Sequence, residues 1–215
     1  MIKRLLLALA VALALVLGLT VTGVFTMATE EPPFTVAMVE GAFELRDYPA
    51  LIAAEVSVGG QRRDAASKGF RLLAGYIFGG NTRKQRIAVT APVTQAPAGG
   101  EKIAMTAPVL LSGGGPWTIR FIMPRGSALE TLPTPNNPAV KLRELAPARM
   151  AVIRFSGLAG QANVDAKTQE LAGFIKAQNL AATGPAALAQ YDPPWTLWFL
   201  RRNEVMIPVA GASAP

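Results

Sequence analysis

The chain has 215 residues, 51% of them apolar, with no cysteine and no histidine. Those two absences exclude disulfides, thiolate ligands, Ser-His-Asp and Cys-His nucleophile systems, ordinary structural zinc sites and iron held by imidazole. With 21 basic and 14 acidic side chains the net charge is +7, which suits anionic headgroups or an anionic small molecule; no Lys/Arg stripe is dense enough to predict a nucleic-acid partner.

The chain opens Met1-Ile-Lys3-Arg4 and then runs apolar from Leu5 to Phe25, broken only by Gly18, Thr20, Thr22 and Gly23. A basic head on a Leu/Ala/Val run predicts that residues 1–28 are a signal peptide or an N-terminal membrane anchor. As a helix, residues 5–25 would reach roughly 31 Å, enough to cross a bilayer if uncleaved. Thr26-Met-Ala28 offers small residues of the kind a signal peptidase accepts, so cleaved signal and retained anchor both stay open. Either way Lys3 and Arg4 remain cytoplasmic. The rest is expected to be exported, either periplasmic or anchored to the outer face of the cytoplasmic membrane.

After a linker at Glu30-Glu-Pro-Pro33, two segments resemble each other at an offset of about 98 residues. The first runs Leu45-Arg-Asp47, Ala53-Ala-Glu-Val56, Gly59 and Leu73-Ala-Gly-Tyr-Ile77; the second runs Leu142-Arg-Glu144, Ala151-Val-Ile-Arg154, Gly157 and Leu171-Ala-Gly-Phe-Ile175. Each predicts a strand (Phe43 to Arg46; Val140 to Leu145), a turn at Pro49 or Pro147, and a second strand (Leu51 to Val58; Arg149 to Phe155). A helix follows in each. Ala66, Gly69, Phe70, Leu73 and Ile77 share one face of the first, with Asp64, Lys68 and Arg71 opposite; Val164, Thr168, Leu171, Phe174 and Ile175 share one face of the second. Gly79-Gly80 and Asn179 are the expected stops. Further strands are expected at Ile87 to Val93, Ile103 to Val109, Trp117 to Met123, Trp195 to Leu200 and Asn203 to Val209. The pattern predicts an α+β domain over residues 34–209, with a flexible tail at 210–215. Its expected sheet is mostly antiparallel, closed or strongly curved, with both helices against it and an internal duplication behind the two halves.

Within the first half, Ile87-Ala-Val-Thr-Ala-Pro-Val93 recurs as Ile103-Ala-Met-Thr-Ala-Pro-Val109. Paired as a hairpin with Val93 opposite Ile103, the two copies set apolar against apolar and Thr90 against Thr106. Pro92 and Pro108 cannot donate to a ladder, so each is expected at a bulge, an edge or a strand end.

These stretches, with Glu44-Leu-Arg-Asp-Tyr-Pro49, Gly69-Phe-Arg-Leu-Leu-Ala-Gly-Tyr-Ile-Phe-Gly-Gly80, Phe121-Ile-Met-Pro124, Tyr191-Asp-Pro-Pro-Trp195 and Arg201-Arg-Asn-Glu-Val205, form an ordered set that resembles the SOUL haem-binding proteins. The resemblance implies a distorted, mostly antiparallel β-barrel of eight or nine strands flanked by two α-helices, with pseudo-twofold symmetry, similar to gyrase-inhibitor-like small-molecule-binding domains. It also implies non-enzymatic, non-covalent binding of haem or a related tetrapyrrole. The ligand would lie on an apolar surface near the first helix, with basic side chains on its propionates.

A flat apolar disc with two carboxylates needs an apolar face and cations at its rim. Phe70, Leu73, Tyr76 and Ile77, with the adaptable Met105, are the candidates for the face; Lys68, Arg71, Arg201 and Arg202 are the candidates for the rim. Each has a plainer competing role. Phe70, Leu73 and Ile77 stand at core spacing, Met105 points with the apolar face of its strand, Lys68 and Arg71 suit a solvated helix face, and Arg202 shares a strand face with Glu204 and can pair with it. Without histidine, an iron ligand is confined to Tyr76, a methionine, a lysine or nothing. Gly69, Ala74 and Gly75 either weaken the grip on a ligand or allow close helix-to-sheet packing. Two other functions remain open: an envelope small-ligand or protein-interaction module without haem, and a hydrolase built on Glu44, Asp47, Glu55 and Tyr76. Gly79-Gly-Asn-Thr-Arg-Lys84 lacks the spacing of a phosphate cradle.

Overall fold

The computed structural model describes residues 30–83, 100–193 and 195–210. The expected signal or anchor at 1–28, the strand at Ile87 to Val93 and most of the 210–215 tail therefore lie outside the described residues, and among the described residues no helix is long and apolar enough to cross a membrane. In chain order the elements are β1 (Thr35–Glu40), β2 (Phe43–Tyr48), β3 (Leu51–Val58), α1 (Arg62–Ile77), β4 (Asn81–Thr82), β5 (Val109–Gly113) and β6 (Trp117–Ile122). There follow β7 (Thr134–Pro135), β8 (Lys141–Leu145), β9 (Ala148–Ser156), α2 (Gln161–Ala177), β10 (Ala187–Gln190) and β11 (Arg202–Val209). Nine strands make one sheet in the order β1-β2-β9-β11-β10-β5-β6-β3-β8, and β4 and β7 form a separate pair. Every neighbouring pair is antiparallel. The result is the expected α+β fold, a curled half-barrel with two helices.

The strand period of two divides the residues between the faces of this sheet. On one face Ala54, Val56 and Val58 of β3, Leu111 of β5 and Ile119 and Phe121 of β6 pack with Leu73, Tyr76 and Ile77 of α1. Leu45, Ala151, Ile153, Leu188, Val205 and Ile207 pack with Leu171, Phe174 and Ile175 of α2. Leu188 of β10 lies opposite Leu111 of β5 in register, so both helices cover the same face. The helices end as expected. Asn179 follows α2 with a positive φ of 54° and Gly79 follows α1 at 112°; the amides of Leu180 and Gly80 return to the carbonyls of Ile175 and Gly75.

Pairing between the halves is reciprocal: β2 of the first half pairs with β9 of the second, and β8 of the second pairs with β3 of the first. This is geometry, and it does not by itself establish the duplication read from the sequence.

Several expectations are corrected. Residues 103–108 are not a strand; only Val109 enters β5, directly after Pro108. Thr106 gives its hydroxyl to the Ile122 carbonyl. Residues 195–200 are not a strand either: they form a loop with one 3₁₀ turn at Trp198–Leu200. The apolar face of α1 is centred on Ala65, Gly69, Leu73, Tyr76 and Ile77. Tyr76 is therefore inside, while Phe70 sits at the border, 37% exposed. The strands β1, β5 and β10 escaped the sequence reading. β10 is only four residues, Ala-Leu-Ala-Gln, too short to show a period.

Candidate functional site

On the helical wheel, Phe70, Ala74 and Phe78 stand at successive four-residue steps, so they form one stripe that runs from the margin of the core, where Ala74 is partly buried, to the exposed Phe78 just past α1. Phe70 meets Phe121 edge-on, with ring centroids 5.3 Å apart, which props its ring at the margin of the core. Phe78, just past the helix, is 60% exposed. Arg71 and Lys68 are both exposed, Arg71 nearer to this stripe. The segment carrying Met105 is tied in at the same end, because the Ile103 amide donates to the Ile77 carbonyl at 2.8 Å and Thr106 bonds Ile122. Met105 is itself 38% exposed. Phe70, Phe78, Met105 and Arg71 thus lie toward the C-terminal half of α1, whereas Lys68 stands in its N-terminal half on the side away from Phe70.

The other expected site residues are elsewhere. Leu73, Tyr76 and Ile77 are buried beneath α1. Tyr76 donates its hydroxyl to the Pro133 carbonyl at 3.0 Å; burial, with the charge of Glu101, pushes its pKa up to about 12. Its ring lies inside the core, 2% exposed, rather than on the surface of α1. Arg201, half-buried, donates through Nε to the Thr196 carbonyl at 2.9 Å at the base of the 195–200 loop.

Arg202 belongs to a second assembly, on the sheet face that the helices leave uncovered. Glu204 at its centre is fully buried. Its carboxylate accepts from Arg46 at 2.8 and 3.1 Å, from the Tyr191 hydroxyl at 2.7 Å and from Arg202 at 2.9 and 3.1 Å. Arg202 also reaches Glu31 at 2.9 Å and lies 3.8 Å over the Tyr191 ring. Arg46 reaches Glu44 at 2.7 Å and lies under Phe34, 4.5 Å from its ring centroid. Burial alone would raise the pKa of Glu204, but the hydrogen bonds from Arg46 and Tyr191 and the two guanidinium charges outweigh it and hold the carboxyl below its ordinary value. Among the described residues no buried side-chain nitrogen or oxygen lacks a partner. The cluster is closed on itself and leaves Arg202 little capacity for a ligand carboxylate.

The carboxylates considered for hydrolysis do not converge. Glu55 pairs with Arg120 and Arg143, Asp47 with Arg149 and Glu44 with Arg46, each in its own bridge. Between the N-terminal turns of the two helices a cleft of about 200 Å³ is lined by Arg62, Gln161, Thr168, Leu111, Trp117 and Leu188. That is smaller than the roughly 300–1,000 Å³ of common ligand pockets, and Arg62 already bridges it to Gln161 at 2.7 Å. Among the described residues no cluster of acidic side chains could hold a metal ion.

Two features of this description were missed in the sequence. Phe78 continues the Phe70–Ala74 step just before Gly79-Gly80, a cue that was available. The buried group around Glu204 joins residues up to 171 positions apart, and only its Arg202–Glu204 pair was readable as a strand-face neighbour.

Comparison with known proteins agrees with the architecture. No curated protein matches the chain. Among solved structures, the C-terminal domain of EcmrR aligns at 10% identity with a TM-score of 0.50, covering 83% of this chain and 99% of that one. EcmrR in a DNA complex aligns at 10% identity with a TM-score of 0.55, covering 79% and 57%. A hydrolase from Listeria innocua aligns at 12% identity with a TM-score of 0.53, covering 81% and 94%. At such identities these likenesses speak for the fold alone. The family model described as SOUL heme-binding protein matches residues 29–208, taking in the whole sheet and both helices but for the last residue of β11. With that span matched, the chain belongs to the SOUL haem-binding family.

Proposed function

We propose that this protein binds haem or a related tetrapyrrole non-covalently on the exposed side of α1, and serves as an exported, non-enzymatic carrier or buffer. The observation that carries the site is the stripe Phe70–Ala74–Phe78, with Met105 at the same end, Arg71 at its edge and Lys68 exposed further round α1. Two aromatic rings about 12 Å apart along a helix, with an alanine between them, make a floor suited to a flat apolar disc. The cations suit its two carboxylates. When bound, haem supplies a redox-active iron; Phe70, Phe78 and Met105 would cover one face of the ring, and Arg71 and Lys68 would take the propionates. Export depends on residues 1–28 acting as signal or anchor, and fractionation of the tagged full chain tests it directly.

Haem titration monitored at the Soret band should saturate at one equivalent. Phe70→Ala combined with Phe78→Ala is expected to weaken binding about tenfold or more, since each side chain offers up to ~1.5–3 kcal/mol of apolar burial. Arg71→Ala should cost a smaller factor, with salt sensitivity. A linear, non-saturating response in the parent protein removes the proposal. That result would favour the alternative, an envelope module of the same fold binding another small ligand or a protein; Tyr76, the one phenol considered as an iron ligand, is held inside by Pro133.

A further inference from the structure

We propose that the loop Trp195–Leu200 is a membrane-contact element that inserts its side chains into the headgroup region of an anionic bilayer. Trp195, Leu197, Trp198, Phe199 and Leu200 are between 47 and 78% exposed. Five large apolar side chains within six residues, all outward, form a concentrated patch at the tip of a loop.

The loop is built to stay open. The Thr196 amide donates to the Pro193 carbonyl at 3.0 Å and the Leu200 amide to the Leu197 carbonyl at 2.9 Å. Arg201 Nε closes on the Thr196 carbonyl, and the Arg202 amide is taken by the Asp192 carboxylate. Trp198 and Phe199 brace each other edge-on at 5.6 Å. With these backbone groups satisfied inside the turn, moving it into a less polar layer forfeits few hydrogen bonds with water.

The surroundings favour lipid over another occupant. The 3₁₀ turn packs against β9, the strand that carries the exposed Arg154 and is followed by the exposed Leu158. Asn203 holds the backbone there, donating to the Gly157 carbonyl at 2.9 Å. Arg154 and Arg201 provide positive charge at the base, and the acidic side chain of the loop, Asp192, is occupied by the Arg202 amide. Trp, Phe and Leu above a basic base match the interfacial layer of an anionic membrane, where indole rings partition well and guanidinium groups meet phosphates. A protruding tip needs no matching cavity in a bilayer, whereas a protein partner would have to supply one.

Tryptophan emission tests this directly. The chain has three tryptophans, and the third, Trp117, is half-buried with its indole donating to the Gly60 carbonyl at 3.0 Å. The full-length chain carrying Trp117→Phe, reconstituted in phosphatidylglycerol-containing vesicles with brominated acyl chains, should show blue-shifted emission that the bromines quench. Leu197→Asp keeps both reporters and should abolish most of the quenching while leaving the circular dichroism melt unchanged. Emission that stays red and unquenched in the Trp117→Phe protein overturns the proposal, as does equal quenching in Leu197→Asp. Quenching by added haemin in the absence of any bromolipid effect also overturns it, by assigning the loop to the ligand instead. None of these readings depends on whether α1 binds haem.

Discussion

Replacing Glu204 by Gln is expected to destabilise the protein by about 3–5 kcal/mol, the usual cost of removing one partner from a buried ion pair. The amide keeps the shape but leaves Arg46, itself 2% exposed, and Arg202 without their shared counter-charge. Equilibrium urea unfolding measures the loss. Exchanging both residues, as Arg46→Met with Glu204→Leu, should cost less than the sum of the two single changes, because the two charges leave together and Arg202 keeps Glu31. An additive double mutant would show that the pair is not coupled. The pH profile provides a second check. A carboxyl held below its ordinary value contributes stability above the unfolded value near 4.5 and loses it as pH falls through the lower folded one. The parent should therefore weaken on acidification below about pH 4.5, and Glu204→Gln should lack most of that decline. Asp47 is held low by Arg149 in the same direction, but the pair is partly exposed and its share is smaller.

The second large effect concerns two glycines of α1 that look alike in sequence. A Cβ built on Gly69 would lie 2.7 Å from Cδ1 and Cγ1 of Ile119 and 3.0 Å from its Cβ, whereas one on Gly75 meets nothing within 4 Å. In an open helix Gly→Ala gains about 1 kcal/mol, so Gly75→Ala should stabilise. Gly69→Ala should not: overpacking against a β-branched side chain costs ~1–3 kcal/mol and cancels or reverses the gain. Gly69→Val should lose about 3 kcal/mol or more, since its branched carbons press further into β6 and add poor helix propensity. Thermal melts of the three variants check the ordering. Stabilisation by Gly69→Ala equal to that by Gly75→Ala would refute the close approach of α1 to the sheet.

These two cases also mark how far the sequence could be read. The strands Leu51–Val58 and Ala148–Ser156 are rich in Ala, Val and Ile and follow a proline turn, so their place was plain, and the helix stops at Gly79 and Asn179 followed from residues that tolerate positive φ. The doubled Ile-Ala-x-Thr-Ala-Pro-Val was misleading for its second copy. Its apolar residues do turn inward in part, with Ile103 fastened to the end of α1 and Thr106 to β6 by hydrogen bonds; its pairing with the first copy lies outside the described residues. Trp195–Leu200 was misread as a strand because it is apolar. An apolar run behind paired prolines, broken only by Thr196 and without alternation, fits a surface loop equally well, and only the exposure of its rings separates the two. For the site, periodicity placed Leu73, Tyr76 and Ile77 on α1 but not on its outer side, and a rotation of a few tens of degrees decided between core and surface.

The reciprocal pairing of β2 with β9 and β8 with β3 has a consequence for how the chain is made. Phe43 finds Ile153, and Leu51 finds Leu145, about a hundred residues later in each case, so both early strands wait for partners not yet synthesised or delivered. Until then β2 has only the exposed β1 beside it, and its other edge is open to any strand that comes. Neither half can close its own sheet. Cutting the chain between Leu145 and Ala148 would therefore yield two fragments that recover the native fold only when mixed, and an arrest in synthesis before β9 would leave a species prone to aggregation that a holding chaperone must shield.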